Sequence, residues 1–434
     1  MIMNTENSDI KTTWKYWRTR IFVTVWITYM TYYLGRVNIG IAKPFILAEY
    51  GIAPEVFGLV GTALFIMYAI GQFVNGQLGD KFGARRLIAI GLIVSSFINL
   101  LFGFSNGLIW MMFILWGMNG FFQSMGWAPS VKTVANWYPS EERGRWSSML
   151  GTSYQIGGAV SWILATFLIV TLGLDWRFSF WVAGVIMLVM GIHWYIRARN
   201  APEEVGLPTI EEEDTGKEEM GEIREDTHLG FEYTIKSILT NKTVWFASFG
   251  LFCLNIVRYG ITEWLPYLLA IEVTTGDFFP LWKTIAFPIG GTIGAITCAW
   301  ISDRYLERRR MPIISVLFLA LAASIFIYSV LPPLDWVVGL PLLIVIGFLT
   351  FGPHVLLVST IPMEFGTRKA ASSATGFIDG WGYVGSAITT FGSGLLIGTS
   401  GPASTFLFWL LAALVGGIVL LANWNSLPEK KEYY

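Results

Sequence analysis

Charge is scarce in this chain. Asp, Glu, Lys and Arg make up only 14 % of its 434 residues, against roughly 25 % in soluble domains. What charge there is nearly cancels, to a net −1 with a pI near 6.4. That excludes the concentrated basic face of a nucleic-acid binder. Cysteine is almost absent. Cys253 and Cys298 are the only two, both inside apolar runs and without CxxC spacing, so they read as small packing groups rather than a disulfide framework. Histidine is as rare. His193, His228 and His354 are scattered, and no metal-ligand cluster, phosphate-cradling P-loop or nucleophile with a histidine base accompanies them. The chain therefore reads as a non-enzyme with no cofactor and no metal. Residues 1–17 are polar and the first apolar run is long and lacks a small-residue cleavage site, so no signal peptide is expected.

Apolar residues are what the chain has in excess, at 54 %, with 16 % aromatic. They gather into long runs near 19–42, 55–78, 86–106, 109–134, 145–172, 178–197, 243–270, 282–302, 312–331, 337–362, 370–397 and 402–424. Crossing a bilayer takes about 20 apolar residues as a helix. The runs are continuous, without the ten-residue alternation of a barrel strand. The composition predicts an all-α membrane protein with twelve transmembrane helices. Between the sixth and seventh runs the sequence turns polar and acidic, with Glu211-Glu212-Glu213-Asp214 and Glu218-Glu219. This reads as a solvated linker. The domains are thus a six-helix bundle over 1–198, an acidic cytoplasmic linker over 199–242, and a second six-helix bundle over 243–434.

Basic residues give the orientation. With the N-terminus inside, 23 of the 29 Lys and Arg fall in inside segments and helix ends. Lys43, Arg177 and Lys283 fall outside, and Arg36, Lys132 and Arg258 within spans. Both termini are expected to be cytoplasmic. Trp17, Trp137, Trp176 and Trp336 near span ends read as interfacial anchors.

The two halves repeat. Gly76-Gln77-Leu78-Gly79-Asp80-Lys81-Phe82-Gly83-Ala84-Arg85-Arg86 follows the second run, and a weaker copy, Ser302-Asp303-Arg304, follows the eighth, 223 residues from Asp80 to Asp303. Arg36 and Arg258 are 222 apart. Parallel six-helix repeats are a common build for alternating-access transporters. Asp80, Arg85, Arg86, Asp303 and Arg304 are candidate gate residues, since such charges can meet carboxylates or helix ends in the facing bundle. Glycines in the fifth run (Gly151, Gly157, Gly158) and the eleventh (Gly376, Gly380, Gly382, Gly385) form small-residue faces expected to let the halves slide.

Charges inside spans are functional candidates by default, because burying them costs several kcal/mol. Arg36 lies about 17 residues into the first run, roughly 25 Å at 1.5 Å per residue. Arg258 is at matching depth in the seventh. Two guanidiniums facing one cavity would grip a dianion from both sides through bidentate hydrogen bonds. Asp379 lies about ten residues into the eleventh run. It is open to three roles: pairing with Arg258 or Lys132, accepting a substrate hydroxyl, or carrying a coupling proton. His354 beside Pro353 reads as a hydrogen-bonded group rather than a proton relay. Glu263, five residues beyond Arg258, is roughly 140° around the helix and awkwardly placed to pair with it.

Asp80–Arg86 resembles the signature of the major facilitator superfamily. The set Tyr32-Tyr33-Leu34-Gly35-Arg36, Gln123–Pro129, Arg258-Tyr259-Gly260 with Glu263-Trp264, Gly352-Pro353-His354 and Pro202–Pro208 resembles the organophosphate:phosphate antiporter family, nearly over the whole chain. The resemblance implies alternating-access exchange of a phosphorylated organic anion for inorganic phosphate. It gives the phosphate grip to Arg36 and Arg258, and polar cavity positions to Tyr33, Gln123 and Tyr383. Family members often carry histidine at the position of Tyr154, lysine at Gln72 and a basic residue at Val37. Phe377-Ile378-Asp379-Gly380 is more similar to eukaryotic sugar-phosphate exchangers. Together with Tyr154, Gln155 and Asp379 as hydroxyl partners, this points to a sugar phosphate over glycerol-3-phosphate. Alternative readings are a proton-coupled organic-anion symporter and a sugar-phosphate-sensing membrane receptor of the same fold. The expected setting is a plasma or bacterial inner membrane, with the lipid bilayer and the small anions as partners, no nucleic acid, and a monomer.

Overall fold

The computed structural model describes residues 2–208, 239–305 apart from 274, 275 and 277, then 311–331, 335–360, 368–422 and 424. Most of the predicted linker and the arginine run 308–310 lie outside them. Among the described residues twelve helical spans follow one another. In the first half these are span 1 (Ile2–Tyr32, a tight turn Tyr33–Gly35, then Asn38–Tyr50), span 2 (Pro54–Phe82), span 3 (Ala84–Phe102), span 4 (Ile109–Gln123 and Trp127–Trp137), span 5 (Ser140–Thr166, ending in a wide turn Phe167–Thr171) and span 6 (Arg177–Arg197). The second half has span 7 (Lys242–Ala270), span 8 (Ala286–Tyr305, after the turn Phe279–Ile285), span 9 (Met311–Val330), span 10 (Gly339–Val355, ending in Leu356–Thr360), span 11 (Arg368–Ser400) and span 12 (Pro402–Leu421). Among the described residues, eight of the helices are long and apolar enough to cross a membrane on length and composition alone. The other four are spans 1, 4, 8 and 11, where breaks or polar residues dilute the apolar run.

The halves pack alike. Span 2 lies on 4, 3 on 6 and 1 on 5, as 8 lies on 10, 9 on 12 and 7 on 11. Pro129 in span 4 and Pro353 in span 10, 224 residues apart, carry the same repeat.

Span 1 is not the single helix its apolar run predicts. It breaks at Tyr33–Val37, and the freed carbonyls would be costly at membrane depth without partners. Buried side chains supply them. Asn99 and Asn119 amides donate to the Gly35 carbonyl at 3.1 and 2.8 Å. Ser161 donates to Leu34 and the Trp162 indole to Val37. A Cβ at Gly35 would stand 2.6 Å from the Asn99 amide, so a larger residue here would push aside the amide that satisfies the Gly35 carbonyl. Arg36 sits in the break.

An even number of spans puts both chain ends on one face. Among the described residues, the contacts joining the halves run from mid-depth to the opposite, far face. Span 2 packs on span 11, the second helix of span 1 on span 7, and span 5 on span 8. Close approach comes from glycines. A Cβ at Gly40 would meet the Thr262 carbonyl at 2.8 Å, and one at Gly58 the Thr390 carbonyl at 2.9 Å. The Thr62 hydroxyl donates to the Ala387 carbonyl at 3.1 Å. The far face is closed.

Three expectations need correction. Gly157 abuts the Met30 carbonyl and Tyr33, and Gly382 abuts Asn255 and Leu251. These glycine faces therefore serve packing within a half, and close approach between halves comes from other glycines, Gly40 and Gly58 in spans 1 and 2 and Gly394 in span 11. Trp137 and Trp176 are buried. Trp137 donates to the Arg199 carbonyl and Trp176 to Glu49, so they brace helix ends inside the protein rather than anchor it in lipid. Lys43 is not an outside charge. It is 1 % exposed, and its ammonium reaches the Glu263 carbonyl at 2.6 Å and carboxylate at 3.1 Å across the two halves, over the Trp264 ring at 4.0 Å.

Candidate functional site

Arg36 and Arg258 are buried, 2 % and 5 % exposed. Their surroundings overlap, because Tyr33 and Tyr383 lie within electrostatic reach of both guanidiniums. Arg36 donates from Nε and one terminal nitrogen to the Gln123 Oε1, at 3.2 and 3.1 Å. Its guanidinium lies 4.6 Å from the centres of the Tyr33 and Tyr68 rings. Its other terminal nitrogen, Nη1, is buried with no hydrogen-bond partner. Arg258 donates from Nη1 to His354 Nε2 at 2.8 Å, flanked by Tyr259 and Phe351 at 4.7 and 4.9 Å. Among the described residues neither arginine has a carboxylate at ion-pairing distance. A buried cation without a counter-anion is held at a cost of several kcal/mol. Aromatic faces offset part of it.

Between the halves lies a cavity with about 390 Å³ of empty space, part of it continuous with solvent. Tyr33, Val37 and Tyr154 border it from the first half, and Arg258, Tyr259 and Phe351 from the second. Gln155 also borders it, 3 % exposed, with both amide atoms unpartnered. The hydroxyls of Tyr68 and Tyr259 are buried and unpartnered too. A region with two uncompensated guanidiniums and several idle hydroxyls and amides suits an anion bearing hydroxyl groups.

Of the residues singled out in the sequence, Tyr33, Tyr154 and Arg258 border the cavity; Arg36, bonded to Gln123, adjoins it through the Tyr33 ring, and Tyr383 and Asp379 are within electrostatic reach of Arg258. The Tyr383 ring is tilted against Tyr68 at 4.5 Å and stacks with Phe65 at 6.3 Å. Asp379 is within electrostatic reach of Arg258, Tyr154 and Tyr383 without an ion pair to Arg258. Glu263 does not meet Arg258, as its position on the helix implies, and meets Lys43 instead. Lys132 is half-buried on the second helix of span 4.

Of the gate candidates, Arg85 and Arg86 have described side chains, and Arg85 is engaged within its own half. Arg85 donates to the Tyr195 carbonyl at 2.7 Å and lies over the Tyr195 ring, 4.8 Å from its centre. It thus serves the C-terminal end of span 6 in its own half, where a cation suits the helix dipole. Arg86 is exposed. The side chains of Asp80, Asp303 and Arg304 lie outside those described.

His354, Tyr68, Tyr259 and the Lys43–Glu263 pair extend the sequence-derived set. Polar aromatics within apolar runs, and a histidine after a helix proline, were the available signals. Nothing in sequence spacing joins Lys43 to Glu263, which lie 220 residues apart.

The family profile described as Major Facilitator Superfamily matches residues 25–390. The chain is 32 % identical to a probable hexose phosphate transport protein of Chlamydia trachomatis serovar D, over 96 % of this chain and 93 % of that one. It is 30 % identical to the membrane sensor protein UhpC of Escherichia coli, over 97 % and 95 %. It is also 30 % identical to a glycerol-3-phosphate transporter of Bacillus subtilis, again over 97 % and 95 %. With its twelve spans in two like halves and these relatives along its whole length, the chain belongs to the major facilitator superfamily and, within it, to the organophosphate:phosphate antiporter family.

Proposed function

We propose that the protein exchanges a phosphorylated organic anion, a sugar phosphate in particular, for inorganic phosphate by alternating access, with its chain ends in the cytoplasm. The observation that carries this reading is the pair of buried guanidiniums without a carboxylate partner. Closing both faces around them empty would desolvate two unpaired charges, at several kcal/mol. A bound phosphate neutralises both and lets the halves rock. The loaded carrier then crosses far more readily than the empty one, which is exchange. In this reading Arg36 and Arg258 grip the phosphate. Tyr33, Gln123, Tyr154, Tyr383 and Asp379 meet the rest of the substrate, and Asp379 accepts a hydroxyl. Asp80, Arg85, Arg86, Asp303 and Arg304 meet across the halves when the face bearing the chain ends closes.

The relative in Escherichia coli is a membrane sensor, and it is as similar as the glycerol-3-phosphate carrier, so sensing is the second reading. One assay separates them. Purified protein in vesicles preloaded with phosphate is given labelled phosphate, with glucose-6-phosphate, glycerol-3-phosphate or unlabelled phosphate as competitor. Exchange with glucose-6-phosphate competing best is expected. Glycerol-3-phosphate competing best would remove the substrate assignment, and saturable binding without exchange would favour the sensor.

A further inference from the structure

His354 makes two polar contacts, and together they fix its chemistry. Nε2 is 2.8 Å from Arg258 Nη1, and Nδ1 is 3.3 Å from the Tyr154 hydroxyl oxygen. A guanidinium has five N–H donors and no lone pair, so Nε2 accepts and bears no proton. In the neutral ring the proton is then on Nδ1, and Nδ1–H donates to the Tyr154 oxygen. An imidazolium would set N–H against N–H and cation against cation at 2.8 Å. Arg258, from span 7, is the charged group facing the ring, and Tyr154, from span 5, is the titratable one. The ring is 6 % exposed. Because the Tyr154 oxygen receives this bond, its own O–H is free to donate elsewhere, and Tyr154 borders the cavity alongside Arg258.

The chain of donors runs from Arg258 to His354 to Tyr154 and joins the second half to the first. Resting on the phosphate-exchange reading above, we propose that His354 is a positioning residue that stays neutral. Its Nε2 lone pair orients Arg258 and its Nδ1–H orients the Tyr154 hydroxyl, so that one imidazole presets an anion donor from each half. It does not carry a transported proton. The neutral form with the proton on Nδ1 is imposed by Arg258, since a ring's tautomer follows the hydrogen bonds at its two nitrogens.

The first test is spectroscopic and needs no transport. Nitrogen-15 NMR of histidine-labelled full-length protein, with the His354 signal identified by its loss in His354→Gln, is followed from pH 5.5 to 8. A protonated Nδ1 with a bare Nε2 throughout is expected. A proton on Nε2, or titration within that range, would overturn the proposal. The second test is phosphate exchange. His354→Leu removes both hydrogen bonds and should lower Vmax/KM about ten-fold or more, chiefly through KM. His354→Gln supplies an amide oxygen for Arg258 and an N–H for Tyr154, and should recover most of that loss with the wild-type pH profile. Leu as active as wild type, or Gln as poor as Leu, would contradict it. Absence of exchange in the wild type would instead count against the functional reading and leave the NMR result standing on its own.

Discussion

Two kinds of buried cation sit between the same two halves and are treated in opposite ways. Lys43 is met by a carboxylate, Glu263, from the facing half and is roofed by Trp264. Arg36 and Arg258 are met by an amide, an imidazole and aromatic faces, all neutral. The compensated pair lies on the closed far side; of the uncompensated two, Arg258 borders the cavity and Arg36 adjoins it through the Tyr33 ring. A face that closes without help from a ligand carries its own counter-charge. A site that should close only when loaded leaves the counter-charge to the ligand.

The largest effect is expected from breaking the compensated pair. Lys43→Met or Glu263→Gln leaves one buried charge or donor unmatched, and removing one partner of a buried pair typically costs about 3–5 kcal/mol. The far face should loosen, read as a lower melting temperature and faster modification of a single cysteine replacing Thr62, whose side chain already sits in the contact between the halves. The double change Lys43→Met with Glu263→Met should recover most of the loss, since two apolar groups can replace a buried pair nearly neutrally. Two equally damaging singles with no recovery would mean that the pair's role is something other than charge compensation.

A smaller effect is expected from Arg36→Lys and Arg258→Lys. Charge remains but the planar fork is lost. A hydrogen bond to a charged group is worth about 1.5–3 kcal/mol, so exchange should fall roughly 10- to 100-fold with little change in folding. Wild-type exchange in both variants would remove the two-arginine site.

The smallest effect lies at the outer end of span 1. Glu49 accepts hydrogen bonds from Arg177 at 2.8 Å and from the Trp176 indole at 2.6 Å. The Arg177 hydrogen bond foremost holds its carboxyl below the usual glutamate range. A depressed carboxylate contributes stability above its unfolded value, near 4.3, and loses it as pH falls through the depressed one. The pair is partly exposed, at 16 % for Arg177 and 39 % for Glu49, so Glu49→Gln should cost under about 1 kcal/mol. Thermal unfolding at pH 7 and pH 3.5 should show that difference shrinking at the lower pH.

Much of this was legible beforehand, for physical reasons. Long apolar runs can only be spans, so the twelve helices fall close to the predicted ranges. Charges at membrane depth are costly, so Arg36, Arg258 and Asp379 stood out; Arg258 borders the cavity, Arg36 lies against the Tyr33 ring that also borders it, and Asp379 is within electrostatic reach of Arg258. Periodicity could not show the break in span 1. It depends on Asn99, Asn119, Ser161 and Trp162 arriving from three other spans to take the freed carbonyls. Nor could it pair Lys43 with Glu263, or place His354 between Arg258 and Tyr154, because those contacts exist only once the halves meet. Arg85 shows the converse. Its motif suggests a contact across the halves, and with the far face closed it serves its own half.

The claim that the arginine charge must be neutralised before the halves can rock is tested most directly by efflux from vesicles loaded with labelled phosphate. Efflux into medium containing phosphate should exceed efflux into phosphate-free medium by roughly 100-fold or more, the ratio for an empty-site penalty of several kcal/mol. Equal efflux into both media would show that the empty protein crosses as readily as the loaded one, and would contradict it.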